Sequence, residues 1–409
     1  MMHVLRSLVV LFCILHTTAY AQKKRAPEEP FFPLMAWDDV RDEATIKKMA
    51  DCGINSIAFV PPKLLDACAK YGVKAIIYDE RILPAYYEAY SAERANPVLR
   101  ELIKKYNNHP ALFGYHLKDE PGAGEYGELS KSVKLVNELA PGRWPYINLL
   151  PAVDDHYDNY VKSFMETCKP MYLSFDRYAI ADADPYGFAP AYWTDLSLIR
   201  KNALAYNTPF HTILLTAAHF NYRVPTLDDL SLQIYGALAY GTRGLAFYKF
   251  IGESLSIMKA PDLGNWRMAP LDEFHRITPG YYNLQLLISR VKTMAPILLN
   301  LKSDDVYHIA GEDIPPLNHK PGPSNLIQAI DGHSFIVGEF THVKDQSKWI
   351  MVVNRNLKQS AFLRPKYSEQ VDPASVEVFS QATGKMEKIT GFYALSPGQG
   401  ALLRVKLKK

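Results

Sequence analysis

Short, continuously apolar runs alternate with longer amphipathic segments over most of the chain. The runs are rich in β-branched and aromatic residues, so they predict strands that are covered on both faces rather than strands of a half-solvated sheet. Eight runs of this kind occur, at residues 32–37, 54–60, 73–78, 112–117, 146–150, 171–175, 210–216 and 244–250. The repeated order of a strand followed by a helix is the main structural signal in this sequence.

Helical patterns lie between these runs, and several of them end at a glycine. The helical segments include residues 44–52, 63–71, 95–106, 129–139, 195–206 and 227–240. Gly53, Gly72 and Gly241 stand where a left-handed C-terminal cap is expected. Eight strand-helix units in about 260 residues predict an α/β fold of the (β/α)8 TIM barrel type. A doubly wound open sheet is the alternative, but no Gly-x-Gly-x-x-Gly follows the first strand.

The pattern changes after residue 296. Residues 304–325 are polar and rich in proline, and alternating runs follow them at residues 326–330, 334–340, 349–353, 361–364, 376–379, 391–395 and 401–405. Turn pairs such as Asp331-Gly332 separate the runs, so they predict a small antiparallel β-sandwich. Helical patterning at residues 272–294 predicts the last barrel helix. We therefore expect a barrel domain at residues 22–300 and a sandwich domain at residues 301–409.

Residues 1–21 have the order of a secretory signal peptide. Arg6 precedes an apolar core at residues 8–15, and Ala-Tyr-Ala at residues 19–21 forms a small-x-small cleavage site before Gln22. The apolar core is too short to span a membrane, and no later segment has the composition of a transmembrane span. We expect a periplasmic or secreted protein whose mature chain begins near Gln22.

Composition excludes some classes of partner. The formal net charge is +3, with 46 basic and 43 acidic residues, so no basic surface for nucleic acid is predicted. Beyond the signal segment the cysteines are Cys52, Cys68 and Cys168, an odd number without metal-ligand spacing. They are interpreted as packed thiols, with a Cys52–Cys68 disulfide as the alternative. No metal and no cofactor is expected.

The fourth apolar run leads directly into two adjacent carboxylates. Residues 113–121 have the sequence Phe-Gly-Tyr-His-Leu-Lys-Asp-Glu-Pro, so Asp119 and Glu120 stand just before Pro121. A parallel barrel presents its catalytic groups at the C-terminal ends of its strands. An acidic pair before a proline also begins many ordinary surface turns. The position at the end of a fourth barrel strand favours the functional interpretation.

A regular pleat would separate these two carboxylates. Along an undistorted strand, His116 and Lys118 would lie on the same face as Glu120, and Leu117 and Asp119 on the other. Both carboxylates can enter the barrel only if the chain kinks near the end of the strand. His116 is then a candidate contact to substrate on the interior face.

The chain resembles clan A glycoside hydrolases, particularly the β-galactosidase-like (β/α)8 barrels that end in a small β-sandwich. The resemblance covers residues 32–409 in architecture, and the fourth-strand motif is its specific part. In that clan the fourth strand ends in Asn-Glu, often followed by Pro, and the Glu is the general acid/base. Glu120 matches this Glu. Asp119 stands where the clan usually has the Asn that binds the sugar 2-hydroxyl, which implies a substrate contact.

The sequence departs from the clan on the seventh strand. The clan places its nucleophilic Glu there, whereas residues 210–220 contain no carboxylate. Retaining hydrolysis needs a second carboxylate about 5–5.5 Å from the first, and inverting hydrolysis one about 6.5–9.5 Å away. Asp176, at the end of the sixth strand, is the candidate, although it also suits a loop cap. Glu253, Asp79 and Glu80 are further candidates in loops after other strands.

Aromatic residues are frequent at the predicted strand ends. Trp37, Tyr178, His219 and Tyr248 follow strands one, six, seven and eight. Aromatic faces stack on the C–H faces of sugars, and a concave site combines them with a few polar groups. Aromatic residues at strand ends are also ordinary barrel packing, so this distribution alone does not decide the function.

Together these features predict an exported glycoside hydrolase-like enzyme that acts on a carbohydrate substrate. Glu120 would protonate the departing oxygen, and Asp176 would be the base or nucleophile. The expected substrate contacts are Trp37, His116, Asp119, Tyr178, His219 and Tyr248. A non-catalytic glycan-binding barrel is one alternative, because it would explain the missing strand-seven carboxylate. A carbohydrate lyase, with Glu120 as base and Lys118 or His116 assisting, is the other.

Overall fold

Eight parallel strands close into a barrel in the computed structural model, which describes residues 31–83, 88–152, 155–182, 188–311 and 320–408. The strands are β1 (Leu34–Asp39), β2 (Ser56–Val60), β3 (Lys74–Ile77), β4 (Leu112–Asp119), β5 (Trp144–Leu149), β6 (Leu173–Asp176), β7 (Phe210–Leu215) and β8 (Leu245–Tyr248). Each strand pairs with its neighbour in sequence, and β8 pairs with β1. The predicted TIM barrel is confirmed. The expected signal peptide at residues 1–21 lies outside the described residues.

Helices connect the strands around the outside of the barrel. They are α1 (Glu43–Cys52), α2 (Leu65–Lys70), α3 (Ala92–Tyr106), α4 (Tyr126–Leu139), α5 (Tyr157–Cys168), α6 (Ala191–Ala205), α7 (Leu227–Ala239), α8 (Leu255–Met258) and α9 (Pro279–Leu298), with 3₁₀ turns at Pro62–Leu64, Ala123–Glu125 and Pro261–Leu263. Local capping explains several boundaries. The Asp42 side chain accepts from the Thr45 N–H at 2.7 Å to start α1, and Gly53 ends it with φ of 103°.

The last barrel helix begins later than its sequence pattern indicates. The apolar periodicity extends back to residue 272, but α9 starts at Pro279. Leu271 instead forms bridges with Ile251 and Ile277, and the residues between Leu271 and Ile277 form a turn in which the His275 N–H donates to the Asp272 carbonyl at 2.9 Å. A proline fits the first turn of a helix because its missing N–H would have no helical partner there.

The C-terminal part is an antiparallel β-sandwich, as predicted. Its strands are β9 (Leu301–Ile309), β10 (Ile327–Ile330), β11 (Phe335–His342), β12 (Lys348–Asn354), β13 (Ala361–Phe362), β14 (Pro365–Tyr367), β15 (Val371–Phe379), β16 (Met386–Lys388), β17 (Ala394–Leu395) and β18 (Gly400–Leu407). One six-stranded sheet has the order β16-β15-β18-β12-β11-β9, and the pairs β10-β14 and β13-β17 form two small sheets.

Strand β9 was not predicted from the sequence, because its early residues are polar. It pairs antiparallel with β11 at the edge of the large sheet. Asp304 accepts from Thr341 Oγ1 at 2.6 Å, and Asp305 accepts from Asn325 Nδ2 at 2.9 Å. The acidic residues that concealed the strand in the sequence are therefore used as hydrogen-bond acceptors along a sheet edge.

The large sheet buries both of its faces. Ile336 and Met351 belong to the same apolar core as the barrel, whereas the next residues in sequence, Val337 and Val352, belong to a second core within the sandwich. This division follows from the alternation of side chains along a strand. At Gly338 an added Cβ would overlap the Ala239 carbonyl at the end of α7. The sheet packs too closely on α7 for a side chain at that position, and Phe32–Lys409 forms one unit.

The three described cysteines are packed, unpaired thiols. Cys52, Cys68 and Cys168 are buried and free, and burial raises the pKa of each thiol to about 12. The interpretation as packed thiols is confirmed, and the alternative Cys52–Cys68 disulfide is wrong. Among the described residues, no helix is both long enough and apolar enough to cross a membrane.

Candidate functional site

The end of β4 departs from the regular pleat, and this departure determines where its carboxylates point. Against β5, His116 pairs with Tyr146 but Lys118 pairs with Ile147, so one extra residue of β4 is accommodated between them. This irregularity is a β-bulge, which bends a strand and re-aims its side chains. Glu120 follows with a positive φ of 47°. The chain therefore kinks where the sequence argument requires a kink for both carboxylates to enter the barrel.

Asp119 and Asp176 are joined by the amide of Asn148 at the end of β5. Asn148 Nδ2 donates to Asp119 Oδ1 at 3.1 Å and to Asp176 Oδ1 at 2.8 Å. The Asn148 carbonyl also accepts the backbone N–H of Glu120 at 2.8 Å. Strands four, five and six thus bring three carboxyl residues together at the C-terminal end of the barrel, which we call the mouth.

The electrostatics of this group follow from burial and like charge. Burial and, to a smaller extent, the Glu120 charge raise the pKa of Asp176 to about 7, although hydrogen bonds from Asn148 and Tyr178 lower it. Burial also raises the pKa of Asp119 well above its ordinary value, helped by the charges of Asp176 and Glu120. Both aspartates therefore keep a proton to higher pH than a solvated aspartate does.

The bulge also separates His116 from Lys118, which a regular strand would have placed on one face. The His116 ring is buried among Phe59, Tyr78 and Tyr146, at centroid distances of 4.7, 5.6 and 5.6 Å. Burial lowers the pKa of His116 to about 3, so its imidazole is neutral at physiological pH. Lys118 Nζ instead donates to the Glu88 carbonyl at 3.0 Å.

Aromatic residues from strands one, six, seven and eight form one contiguous surface beside the carboxylates. Tyr178 and Tyr248 stack at 5.4 Å, and Trp37 meets Tyr248 edge-on at 5.3 Å. His219 stacks on Trp266 at 4.4 Å and lies 5.6 Å from Tyr248. We call these five residues the aromatic wall. Four were expected from the sequence; Trp266 lies in the loop after β8, where no strand pattern drew attention to it.

Asp38 is a fourth carboxylate at the mouth, but its oxygens are used to join the first and last strands. One oxygen accepts the N–H of Ile251 at 2.7 Å and the other the N–H of Asp39 at 2.9 Å. Burial raises the pKa of Asp38 to about 7, and the nearby Lys249 charge opposes this rise. Asp38 closes the barrel between β1 and the segment after β8.

The other acidic candidates from the sequence already have partners or lie in solvent. Glu253 forms an ion pair with Lys249, and Asp79 forms one with Arg81 at 2.7 Å. Glu80 is exposed. The second carboxyl group that meets the group around Glu120 is that of Asp176, on β6.

Asn148 and Ser174 were not singled out in the sequence, although a signal for them exists. Each is a polar residue inside an otherwise apolar strand, and both side chains are buried. Ser174 Oγ donates to Asn148 Oδ1 at 2.9 Å. Because buried polar groups need partners, polar residues near the end of a buried strand indicate a hydrogen-bond network.

Comparison with known proteins shows a likeness of fold. The sequence matches no protein-family model and no curated protein. A glycoside hydrolase family 5 protein from Bacteroides vulgatus ATCC 8482 superposes with a TM-score of 0.57 and 12% identity, over 92% of this chain and 89% of that chain. A catalytic mutant of Gan42B, a GH42 β-galactosidase from G. stearothermophilus, superposes with a TM-score of 0.53 and 10% identity, over 92% of this chain and 98% of that chain. The resemblance to clan A glycoside hydrolases is confirmed at the level of fold.

The raised pKa of Asp176 predicts that the protein becomes less stable as the pH rises toward neutrality. The folded-state pKa of about 7 exceeds the ordinary 3.8, so the stability that Asp176 contributes is present at low pH and lost as pH rises through about 7. Asp176→Asn removes this loss. We expect the variant to gain more thermal stability over the parent protein at pH 8 than at pH 5, measured by circular dichroism melting.

Asp158→Asn is the control for this measurement. A hydrogen bond from Lys201 lowers the pKa of Asp158, so its carboxylate is ionised at both pH values and no gain at pH 8 is expected. An Asp176→Asn variant with the same stability difference from the parent at both pH values would contradict the prediction.

Proposed function

We propose that this protein is a glycoside hydrolase whose active site is the carboxylate group at the barrel mouth. The observation that carries the proposal is the grouping of Asp119, Glu120 and Asp176 around one amide, beside the aromatic wall. Glycoside hydrolysis needs two carboxyl groups in different protonation states on either side of the scissile bond. The fold of the clan supports the same reaction class by analogy.

Glu120 is proposed as the general acid and Asp176 as the second catalytic carboxylate. Glu120 is half-buried and follows β4 at the position of the clan's acid/base. Asp176 would act in its ionised form, as the base that activates a water for attack on the anomeric carbon. With an Asp176 pKa of about 7, the base would become available as the pH rises through neutrality.

Asp119, His116 and the aromatic wall are proposed to bind the sugar. Asp119 replaces the amide that the clan uses, and its raised pKa allows a neutral carboxyl to donate a hydrogen bond as an amide would. His116 is neutral and lies at the base of the site. Tyr178 and Tyr248 present stacked rings beside the acids, which suits contact with the apolar faces of a sugar ring.

A non-catalytic glycan-binding barrel is the second candidate, and the end of β7 favours it. The residues after β7 are Thr216, Ala217, Ala218 and His219, so this strand supplies no carboxylate where the clan has its nucleophile. Sugar binding by titration calorimetry, together with the absence of hydrolysis across α- and β-linked aryl glycosides, would favour this candidate over the enzyme.

Export is proposed from the sequence order of residues 1–21. A cleaved signal peptide would leave a mature chain in the periplasm or the medium. N-terminal sequencing of protein recovered from those fractions should begin at or near Gln22. Recovered protein that still begins at Met1 would contradict the proposal.

The role of Glu120 predicts an effect that depends on the leaving group. Glu120→Gln keeps the shape of the side chain but cannot donate the proton, so turnover of substrates with poor leaving groups should fall by about 10² to 10⁴. Activated aryl glycosides need less protonation and should be affected less. Glu138→Gln, an exposed change on α4, is the control and should behave as the parent. Equal, mild losses on both substrate types would remove Glu120 from this role.

The role of Asp176 predicts both the pH profile and the stereochemistry. Parent kcat/KM should rise with pH through about 7, because the base must lose its proton. Asp176→Asn should lower turnover by about 100-fold or more while sugar binding survives.

The position of Asp176 also predicts the stereochemistry. A carboxylate on strand six, rather than on strand seven, suits a longer separation from Glu120, so we expect inversion. NMR of the first-formed product anomer measures this. Retention, or a rate that falls through pH 7, would contradict this assignment.

A further inference from the structure

We propose that Asn148 is the positioning residue that holds Asp119, Glu120 and Asp176 as one unit. Its side chain donates to both aspartates, and its backbone carbonyl accepts the Glu120 N–H. The catalytic consequence rests on the proposed function, whereas the effect on the two aspartates does not. Asn148 therefore acts through the acids and is not itself placed on the substrate.

The two donor bonds bring the aspartates together through a neutral group. Both acceptor oxygens lie within hydrogen-bond distance of the same nitrogen, at 3.1 and 2.8 Å, so they are about 6 Å apart at most. The Lys118 charge also lowers the pKa of Asp119, but by less than the Asn148 hydrogen bond does. Lys249 pairs with Glu253, and Arg177 lies 3.6 Å from Asp195. The amide is thus the hydrogen-bond donor that the two acids share.

A chain of hydrogen bonds favours the orientation in which the Nδ2 end of the amide faces the acids. Trp37 Nε1 lies 2.6 Å from Tyr146 Oη, Tyr146 Oη lies 3.3 Å from Ser174 Oγ, and Ser174 Oγ lies 2.9 Å from Asn148 Oδ1. An indole N–H can only donate. Tyr146 therefore accepts from Trp37 and has its own proton available for Ser174, whose proton goes to Asn148 Oδ1. The Nδ2 group is left to face the acids with both of its hydrogens.

In this orientation the amide donates its hydrogens to Asp119 and Asp176, which lie at the end of the hydrogen-bond chain. A reversed amide would turn Oδ1 toward the two acidic oxygens, and Oδ1 cannot donate to an ionised carboxylate. Both bonds to the acids would therefore be lost when the acids are ionised. A donor that stabilises an ionised carboxylate lowers its pKa, and the Asn148 bond does lower the pKa of both Asp119 and Asp176 against the effect of burial. The Asn148 bonds thus limit how far burial raises the pKa of Asp119 and Asp176.

Asn148 also contacts the strained backbone at the end of β4. Glu120 adopts a left-handed φ of 47°, a conformation that a non-glycine residue adopts only when its surroundings compensate the strain. The Asn148 carbonyl receives the Glu120 N–H in that conformation at 2.8 Å. One residue of β5 is therefore in contact with all three carboxyl residues, through both its side chain and its backbone.

The test is the titration of the two aspartates in protein labelled with ¹³C at the aspartate side-chain carboxyl. Asp119→Asn and Asp176→Asn assign the two NMR signals. Loss of a hydrogen bond to a charged group corresponds to about 1 to 2 pH units. In Asn148→Ala we expect both apparent midpoints to rise by about this amount. Because the aspartates interact, the midpoints are those of the pair and are compared as a pair.

Two further variants make the result specific. Ser174→Ala removes only the group that orients the amide, and it should raise both midpoints by a smaller amount. Asn202→Ala is the matched control, because Asn202 is also a buried asparagine that donates to a carboxylate, Asp158, at 2.8 Å. It should leave the Asp119 and Asp176 midpoints unchanged. If Asn148→Ala does not fold, Ser174→Ala decides between the outcomes.

Unchanged midpoints in folded Asn148→Ala, or in Ser174→Ala where that variant decides, would overturn the proposal. This titration needs no substrate, so it can succeed even if the protein does not hydrolyse glycosides. Where turnover is measurable, the rising limb of the pH–rate profile should shift to higher pH in Asn148→Ala in parallel with the midpoints. A rate loss without any shift of that limb would reduce Asn148 to a structural role.

Discussion

Three carboxyl groups can share a buried corner of a protein only if donors offset their repulsion and their loss of solvent. At the mouth of this barrel the donors are neutral: the Asn148 amide for the two aspartates, with Tyr178 acting on Asp176. Burial still raises the pKa of both aspartates, and that of Asp176 reaches about 7. A carboxyl group with this pKa exchanges its proton near neutral pH, which is the property that acid/base chemistry needs.

The backbone contributes as much to this arrangement as the side chains. The bulge lies between His116 and Lys118, and the Lys118 ammonium donates to the Glu88 carbonyl. At the same end, Asp38 accepts the Ile251 N–H and so joins β1 to the segment after β8. The sandwich packs against α7, where Gly398 and Gly400 lie against the helix too closely for side chains. The sandwich supports the outside of the barrel because the two share one apolar core.

The absence of an acid after β7 changes the geometry expected of a clan A fold. In place of a carboxylate, His219 stacks on Trp266 and extends the aromatic wall toward the loop after β8. The second acid that we propose lies on β6, next to β5 in the barrel, which explains why a residue of β5 can contact both aspartates. The likeness to solved glycoside hydrolases concerns the fold, while the active site proposed for this chain depends on its own residues.

The sequence alone determined the barrel, the sandwich and most of the acidic and aromatic residues at the mouth. These features depend on apolar periodicity and on strand order, which are local properties of the chain. Strand β9 was missed because Asp304 and Asp305 serve as acceptors along a sheet edge. Trp266 was missed because its loop has no periodicity.

Only the tertiary structure decided which carboxylates meet and how they are held. A one-residue bulge changes the face of every later side chain in β4, and nothing in the local sequence marks it. The partnership of Asn148 with Asp119 and Asp176 joins residues 29 and 28 positions apart. Such contacts depend on the parallel pairing of β4 with β5 and of β5 with β6, which places the C-terminal ends of the three strands side by side.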